Sequence, residues 1–374
     1  MRIAGLDIRA CRYASDVADG GALRGAARPE WLEFLVYTVT TDCGRSASMF
    51  GFAGAEAEGS ARLAASLEPF LKGRNALDRE ALWHDFRKQD RFWSLLPVYI
   101  WGPVDCCLWL LAAEAAGQPL WRYIGGYRDS VPVYVSSMFH TDGQTYVDEA
   151  LQAQADGFAA YKLHPPGNSV DEDLAIHTAV RDAVGGGFGL MSDPVAFMTY
   201  PEALRYGRGL EELGYLWFEE PMQDENIPAL KALSDSLDIP VVGTETLAKH
   251  PYSVAQCIAD RVVDVVRADV SWSGGVTAVL KTARMAEGFG VNCEIHTSIF
   301  HPLEMVNLHL AAAMRNCSYL ELLTPVERFA FGLTEPLPVE NGVAHLPETP
   351  GLGRALDWDL IDNTTLWTNE RAVA

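Results

Sequence analysis

From Val131 onward short apolar runs alternate with longer stretches of helical period, a rhythm that predicts strand then helix, repeated. The predicted strands are Val133 to Phe139, Phe158 to His164, Phe188 to Asp193, Tyr215 to Pro221, Pro240 to Glu245, Asp264 to Asp269, Val291 to His296 and Tyr319 to Leu323. Between them, helical periods cover Thr145 to Ala155, Asp171 to Val184, Pro201 to Leu213, Ile227 to Leu237, Pro251 to Ile258, Val276 to Gly288 and Pro302 to Met314. Strict alternation of this kind implies parallel pairing, and eight strands suffice to close a TIM-like (β/α)7β barrel. An open doubly wound sheet is the structural alternative, but it gives no reason for strands two through eight to end on polar side chains.

The first 128 residues follow a different rhythm. Ile3 to Tyr13 and Trp31 to Thr41 read as strands, the second ending at an Asp42-Cys43-Gly44 turn, and Glu56 to Leu71, Asp78 to Leu95 and Val104 to Ala116 read as helices. Ser15 to Pro29 has no clear period and is expected to be a long loop. Met49 to Gly54 is read as a second loop, its aromatics covering a ligand or a neighbouring subunit. After Thr324 the strand-helix rhythm stops, and the Gly- and Pro-rich residues 330–374 are expected to return to the N-terminal part. The chain thus divides into an α+β module (1–128), a barrel (129–329) and a returning tail (330–374).

Composition narrows the partners. With 374 residues and 49% hydrophobic content, the chain can bury a large barrel and a second core. A net charge of -21 argues against nucleic acid and anionic membrane. An anionic substrate would need a metal and a local lysine to reverse the field at its site. Seven cysteines, an odd number without metal-ligand spacing, read as reduced core thiols, Cys106 and Cys107 among them. The N-terminus carries no targeting run, and no uncharged stretch approaches membrane-spanning length, so a soluble cytoplasmic protein is expected.

The polar strand ends carry the chemistry. In order they are Lys162 with His164, Asp193, Glu219, Glu245, Asp269, His296 and Glu321, and in a parallel barrel all emerge on the C-terminal rim. Asp193, Glu219 and Glu245 follow one another at steps of 26 residues. Three carboxylates converging on one point repel unless a divalent cation sits between them, and an all-oxygen donor set suits Mg²⁺.

Glu219-Glu220-Pro221, Gly243-Thr244-Glu245, Asp269 followed by Ser273-Gly274-Gly275, and His296 with Glu321 resemble the mandelate racemase subgroup of the enolase superfamily. Asp105 to Trp109, Gly117 to Leu120 and Ile124 to Gly126 resemble the passage from that family's capping domain into its barrel, and Asn341-Gly342 with Pro347 to Gly353 its C-terminal return. The resemblance implies a Mg²⁺ enzyme with Asp193, Glu219 and Glu245 as ligands, which removes the proton next to a substrate carboxylate and passes through an enolate. It implies His296 as base, Asp269 behind it, Lys162 against the substrate carboxylate, and Glu321 as a protonated acid on the enolate oxygen. The family's second strand-two lysine is here His164, either an acid-base group on the opposite face or a donor to a substrate hydroxyl.

Members without that lysine are commonly acid-sugar dehydratases, so dehydration of a sugar acid to a 2-keto-3-deoxy acid is expected. The alternatives are a racemase or epimerase of a 2-hydroxy acid or amino-acid derivative, and an inactive metal-binding barrel. The distal end of the substrate is expected to meet the two loops of the N-terminal part, with Met49 and Phe50 in contact and Asp16, Asp19, Arg24, Arg28 and Arg45 as polar candidates; Trp272 is placed at the rim. His140 is read as either a substrate contact or part of a plain turn, His301 as structural, and a homo-oligomer is expected.

Overall fold

The computed structural model describes residues 1–14, 31–54, 56–89, 91, 96–247 and 250–369. The loop expected over Ser15 to Pro29, with Asp16, Asp19, Arg24 and Arg28, lies outside them. Strands β1 (Ile3–Ala14), β2 (Trp31–Thr41) and β3 (Ser46–Phe52) form an antiparallel meander. Their inward positions are apolar, and Leu6, Ile8, Phe34, Val36 and Phe50 are fully buried. The stretch read as a loop over Met49 to Gly54 is therefore mostly strand. Tyr37 pairs with Met49 and Val36 with Phe50, because the backbone bonds offered by β2 outweigh the glycine content of the segment.

Helix Val98–Ala115 lies between this sheet and the barrel. It is long and apolar enough to cross a membrane by composition, yet most of it is buried in the fold. Its close approach to the barrel explains two glycines of the Ser273-Gly274-Gly275 motif. Gly274 and Gly275 have φ of 87° and 93°, and added Cβ atoms would lie 2.3 Å from a Val98 methyl and 2.5 Å from Asp105 Cβ.

The barrel strands are β4 (Ser130–Ser136), β5 (Ala160–Leu163), β6 (Gly189–Ser192), β7 (Phe218–Glu219), β8 (Val241–Gly243), β9 (Val265–Ala268), β10 (Asn292–Ile295) and β11 (Leu320–Leu323). They pair in parallel in sequence order from β4 to β10, and β11 returns to pair with β4. Between β10 and β11 closure is made by side chains and irregular backbone: Glu294 accepts from the amides of Ser318 and Tyr319, and Cys293 N donates to Asn316 O. Three further strands complete the fold, β12 (Val339–Glu340), β13 (Val343–His345) and β14 (Thr365–Thr368). The β12–β13 hairpin pairs with the start of β4, below the barrel, and β14 pairs with β1.

Candidate active site

A cavity of about 250 Å³ opens at the C-terminal ends of the barrel strands. His164, Asp193, Glu220, Glu245, His296 and Glu321 line its polar side; Met138, Phe139, Trp272, Ile299 and Leu323 line the other. Trp272 thus stands where it was expected. Met49 and Phe50 do not: both are fully buried, Phe50 stacked 4.6 Å from Phe34, and neither lines the cavity. They pair within a sheet whose inner face they fill. Phe52 is the side chain of that strand that reaches the rim, 5.6 Å from Trp272.

The loops that carry the acids are strained. Among the described residues, Val195, Ala196, Glu220, Thr244 and Ile299 hold positive φ, and each lies just beyond a barrel strand. For β-branched side chains such backbone is costly, and it persists where surrounding bonds impose it. At Thr244 the bonds are visible. The Asp224 carboxylate accepts from the amides of Thr244 (2.8 Å) and Thr246 (2.9 Å) and from Thr246 Oγ1 (2.9 Å), fixing the turn that presents Glu245.

Lys162 is the hub of the buried charges. Its Nζ donates to Glu219 Oε2 at 3.0 Å and Asp193 Oδ2 at 3.3 Å and lies 2.8 Å from Glu321 Oε1. Burial would lower its pKa, but Glu219 and Glu321 hold it above the usual lysine range. Arg267, in the middle of β9, is fully buried and pairs with Glu219 Oε1 (2.8 Å) and Glu321 Oε2 (2.5 Å). Sequence reasoning passed over this arginine because it is interior to a strand rather than at its end. Its register, two residues before Asp269 and therefore on the same face of the strand, was the available signal.

The two cations decide the state of Glu321. Burial raises its pKa, but Lys162 and Arg267 more than offset that and hold the carboxyl well below the usual range. The expectation of a protonated Glu321 is therefore corrected: it is an anion that accepts from Lys162, Arg267 and the Thr297 amide. Expecting like-charge repulsion to win underweighted Lys162 and overlooked Arg267.

His296 Nδ1 lies 2.9 Å from Asp269 Oδ2, so the ring donates there and presents Nε2 to the cavity. Asp269 Oδ1 is in turn held by the amides of Ser271 and Trp272 at 2.6 and 2.7 Å. Burial alone would depress the imidazole, but Glu245 and Asp269 push its pKa up to about 9. His164 is bound through both nitrogens, Nδ1 2.6 Å from Ser137 O and Nε2 3.2 Å from Asp193 Oδ2. His140 faces Glu149 (3.1 Å) outside the cavity, and His301 is buried at a helix start.

The three acids expected to share a cation do not form a cage as they stand. Among the described residues no three His, Cys, Asp or Glu side chains are grouped to hold a metal ion. Asp193 and Glu219 are drawn to Lys162, while Glu245 Oε1 lies 3.5 Å from His296 Nε2. The chemistry of the set nevertheless suits a hard cation. Burial, together with neighbouring carboxylates, raises the pKa of both Glu220 and Glu245, a mark of uncompensated negative charge. A dication with oxygen preference relieves that repulsion.

A family profile described as enolase C-terminal domain-like matches residues 145–360. Arabinonate dehydratase of Saccharolobus solfataricus is 30% identical over 293 residues, covering 77% of this chain and 78% of that protein. D-galactarolactone cycloisomerase of Agrobacterium fabrum is 30% identical over 272 residues, covering 69% and 71%. The structure of D-glucarate dehydratase from Agrobacterium tumefaciens, complexed with magnesium, matches with a TM-score of 0.85 at 33% identity, covering 98% of this chain and 100% of that one. The chain therefore belongs to the enolase superfamily, in its mandelate racemase subgroup.

Proposed function

We propose that the protein is a Mg²⁺-dependent lyase that dehydrates a sugar acid to a 2-keto-3-deoxy acid. The observation that carries the reading is the His296–Asp269 pair at 2.9 Å, with Nε2 turned to a cavity also lined by Asp193, Glu245 and Glu321, behind which Lys162 lies buried against Asp193 and Glu321. Asp193, Glu219 and Glu245 would hold the ion. Bound there, it supplies positive charge that steadies a substrate carboxylate while the adjacent carbon is deprotonated.

With Glu245, the carboxylate that does most to raise the His296 pKa, offset by a cation held on it, His296 Nε2 is free to take the α-proton, and Asp269 stabilises the imidazolium that forms. The electron pair left on carbon expels the β-hydroxyl, and His296 returns the proton to that leaving oxygen as water departs. The enol then tautomerises to the 2-keto acid. Lys162 offsets the substrate carboxylate, with Arg267 holding Glu219 and Glu321 in place beside it.

The state of His164 favours dehydration over racemisation. Racemisation needs an acid-base group on each face of the enolate, and His164 has both ring nitrogens engaged by Ser137 and Asp193. The names of the relatives support the same chemistry, dehydratases of arabinonate and glucarate beside a cycloisomerase. The division at residues 128 and 329, and a soluble cytoplasmic homo-oligomer, belong to the same proposal.

Replacing His296 by Asn tests the base. His296→Asn is expected to lose turnover by at least about 10³-fold, toward the upper end of general acid-base contributions, while Mg²⁺ binding by calorimetry survives. A variant that keeps the full rate would remove His296 from the reaction.

A further inference from the structure

Asn307 lies on helix His301–Ala313, the helix that follows β10, and is fully buried. Its amide touches both halves of the His296–Asp269 pair. Oδ1 accepts from Val270 N, the residue after Asp269, at 3.4 Å, and Nδ2 lies 3.2 Å from the carbonyl oxygen of His296 itself. Val270 N can only donate and His296 O can only accept, so the orientation of the amide is set by its neighbours. One side chain thus ties the end of β9 to the end of β10.

The same Nδ2 donates to Ser298 Oγ at 3.0 Å and to Glu304 Oε2 at 3.1 Å. Ser298 Oγ is 2.9 Å from Ser271 Oγ, which donates to Asp269 Oδ1 at 2.7 Å. Glu304 Oε1 accepts from Thr297 Oγ1 at 2.6 Å and from the Ser298 amide, holding the loop after His296. A continuous chain of bonds therefore runs from Asn307 through two hydroxyls to the outer oxygen of Asp269, whose inner oxygen meets His296. The network also satisfies buried backbone groups, Asn307 pairing the Val270 amide and the His296 carbonyl and Glu304 the Ser298 amide, so it fixes the loops that carry both members of the dyad.

We infer that Asn307, acting with Ser298, is the positioning residue of the dyad, setting the Asp269–His296 separation and the direction of Nε2 without touching substrate. The inference rests on the proposed reaction only for the identity of the base. Loosening a supporting shell of this kind costs about 10- to 100-fold in rate.

The test uses Asn307→Leu, Ser298→Ala and Ser298→Thr in the full chain, with His296→Asn beside them. With whichever aldonic or aldaric acid the wild type dehydrates fastest, N307L and S298A should lose about 10- to 100-fold in kcat with KM within about threefold. S298T, which keeps the hydroxyl, should stay within about threefold of wild type in both. A purely structural role would lower the melting temperature and leave the kcat of folded protein unchanged.

A second readout needs no substrate: the downfield proton resonance of the His296 Nδ1–H bond to Asp269. It should be present in the wild type, absent in H296N, and shifted or lost in N307L and S298A. Folded S298A with wild-type kcat and an unmoved resonance overturns the inference, and decides it even if N307L fails to fold. If H296N itself keeps full activity, the functional reading falls instead.

Discussion

Arg267 and Lys162 hold opposite sides of one acidic cluster, and neither reaches solvent. Such pairs add little net stability, since the desolvation of each ion offsets most of the attraction. Removing one partner is a different matter, because it strands the other's charge in the interior. Arg267→Met is expected to cost about 3–5 kcal/mol in urea-determined stability, because it removes one of the two cations paired with Glu219 and Glu321 and leaves Lys162 to balance both. It should also raise the pKa of Glu321, measurable by carbon-detected NMR of the carboxyl group. An unchanged midpoint would mean that the arginine is not the partner its distances describe.

Secondary elements place these side chains by two devices, short strands and strained loops. Strand β7 is two residues long, enough to hand Glu219 to the rim before Glu220 turns at a φ of 38°. At the other end of the barrel the β12–β13 turn uses Asn341 and Gly342, with φ of 48° and 71°, and packs against Gly157. A Cβ on Gly342 would lie 2.0 Å from Gly157 O. Gly342→Ala should therefore cost at least about 2 kcal/mol, by strain and by clash. Gly185→Ala shares a positive φ but meets nothing within 4 Å, so it should cost less, roughly 1 kcal/mol. Equal midpoints for the two variants would show that the hairpin does not bear on barrel stability.

Those elements were legible in the sequence to different degrees, for physical reasons. Barrel helices such as Tyr200–Glu212 stand out because burial of Ala203, Tyr206, Gly207 and Leu210 on one face imposes a period. The polar strand ends stand out because a buried run that closes on a carboxylate is rarely accidental. The strand over Ser46–Phe52 is masked by glycine at position 51, whose absent side chain makes room for Tyr37 and Pro103. Arg267 was missed because its ionic partners, Glu219 and Glu321, lie far along the chain, and Asn307 because a single amide in a buried, largely apolar helix does not show which backbone groups it meets. Arg267 adds to Lys162 in holding Glu321 ionised, so overlooking it also weakened the reading of that carboxyl.

For the molecule as a whole, the interior is kept neutral by histidines as well as by ion pairs. His177, His301 and His309 are buried, and burial depresses each to about 4. Above pH ~6.5 they are neutral in both folded and unfolded chains. As pH falls from there toward 4 the unfolded chain binds protons that the folded one refuses, and each site withdraws on the order of 3 kcal/mol. The urea midpoint should therefore fall steeply between pH 6.5 and 4; a flat profile there would show that these rings are not buried neutral.

A net charge of -21 makes the rim an unpromising place for an anion unless Lys162, Arg267 and a divalent cation invert the local field. The direct test is proton NMR of the purified protein with Mg²⁺ and a panel of aldonic and aldaric acids in D₂O. The account predicts that at least one acid yields a 2-keto-3-deoxy product, with chelation of the metal stopping it. Deuterium entering the α-position with formation of an isomer and no keto product would contradict it.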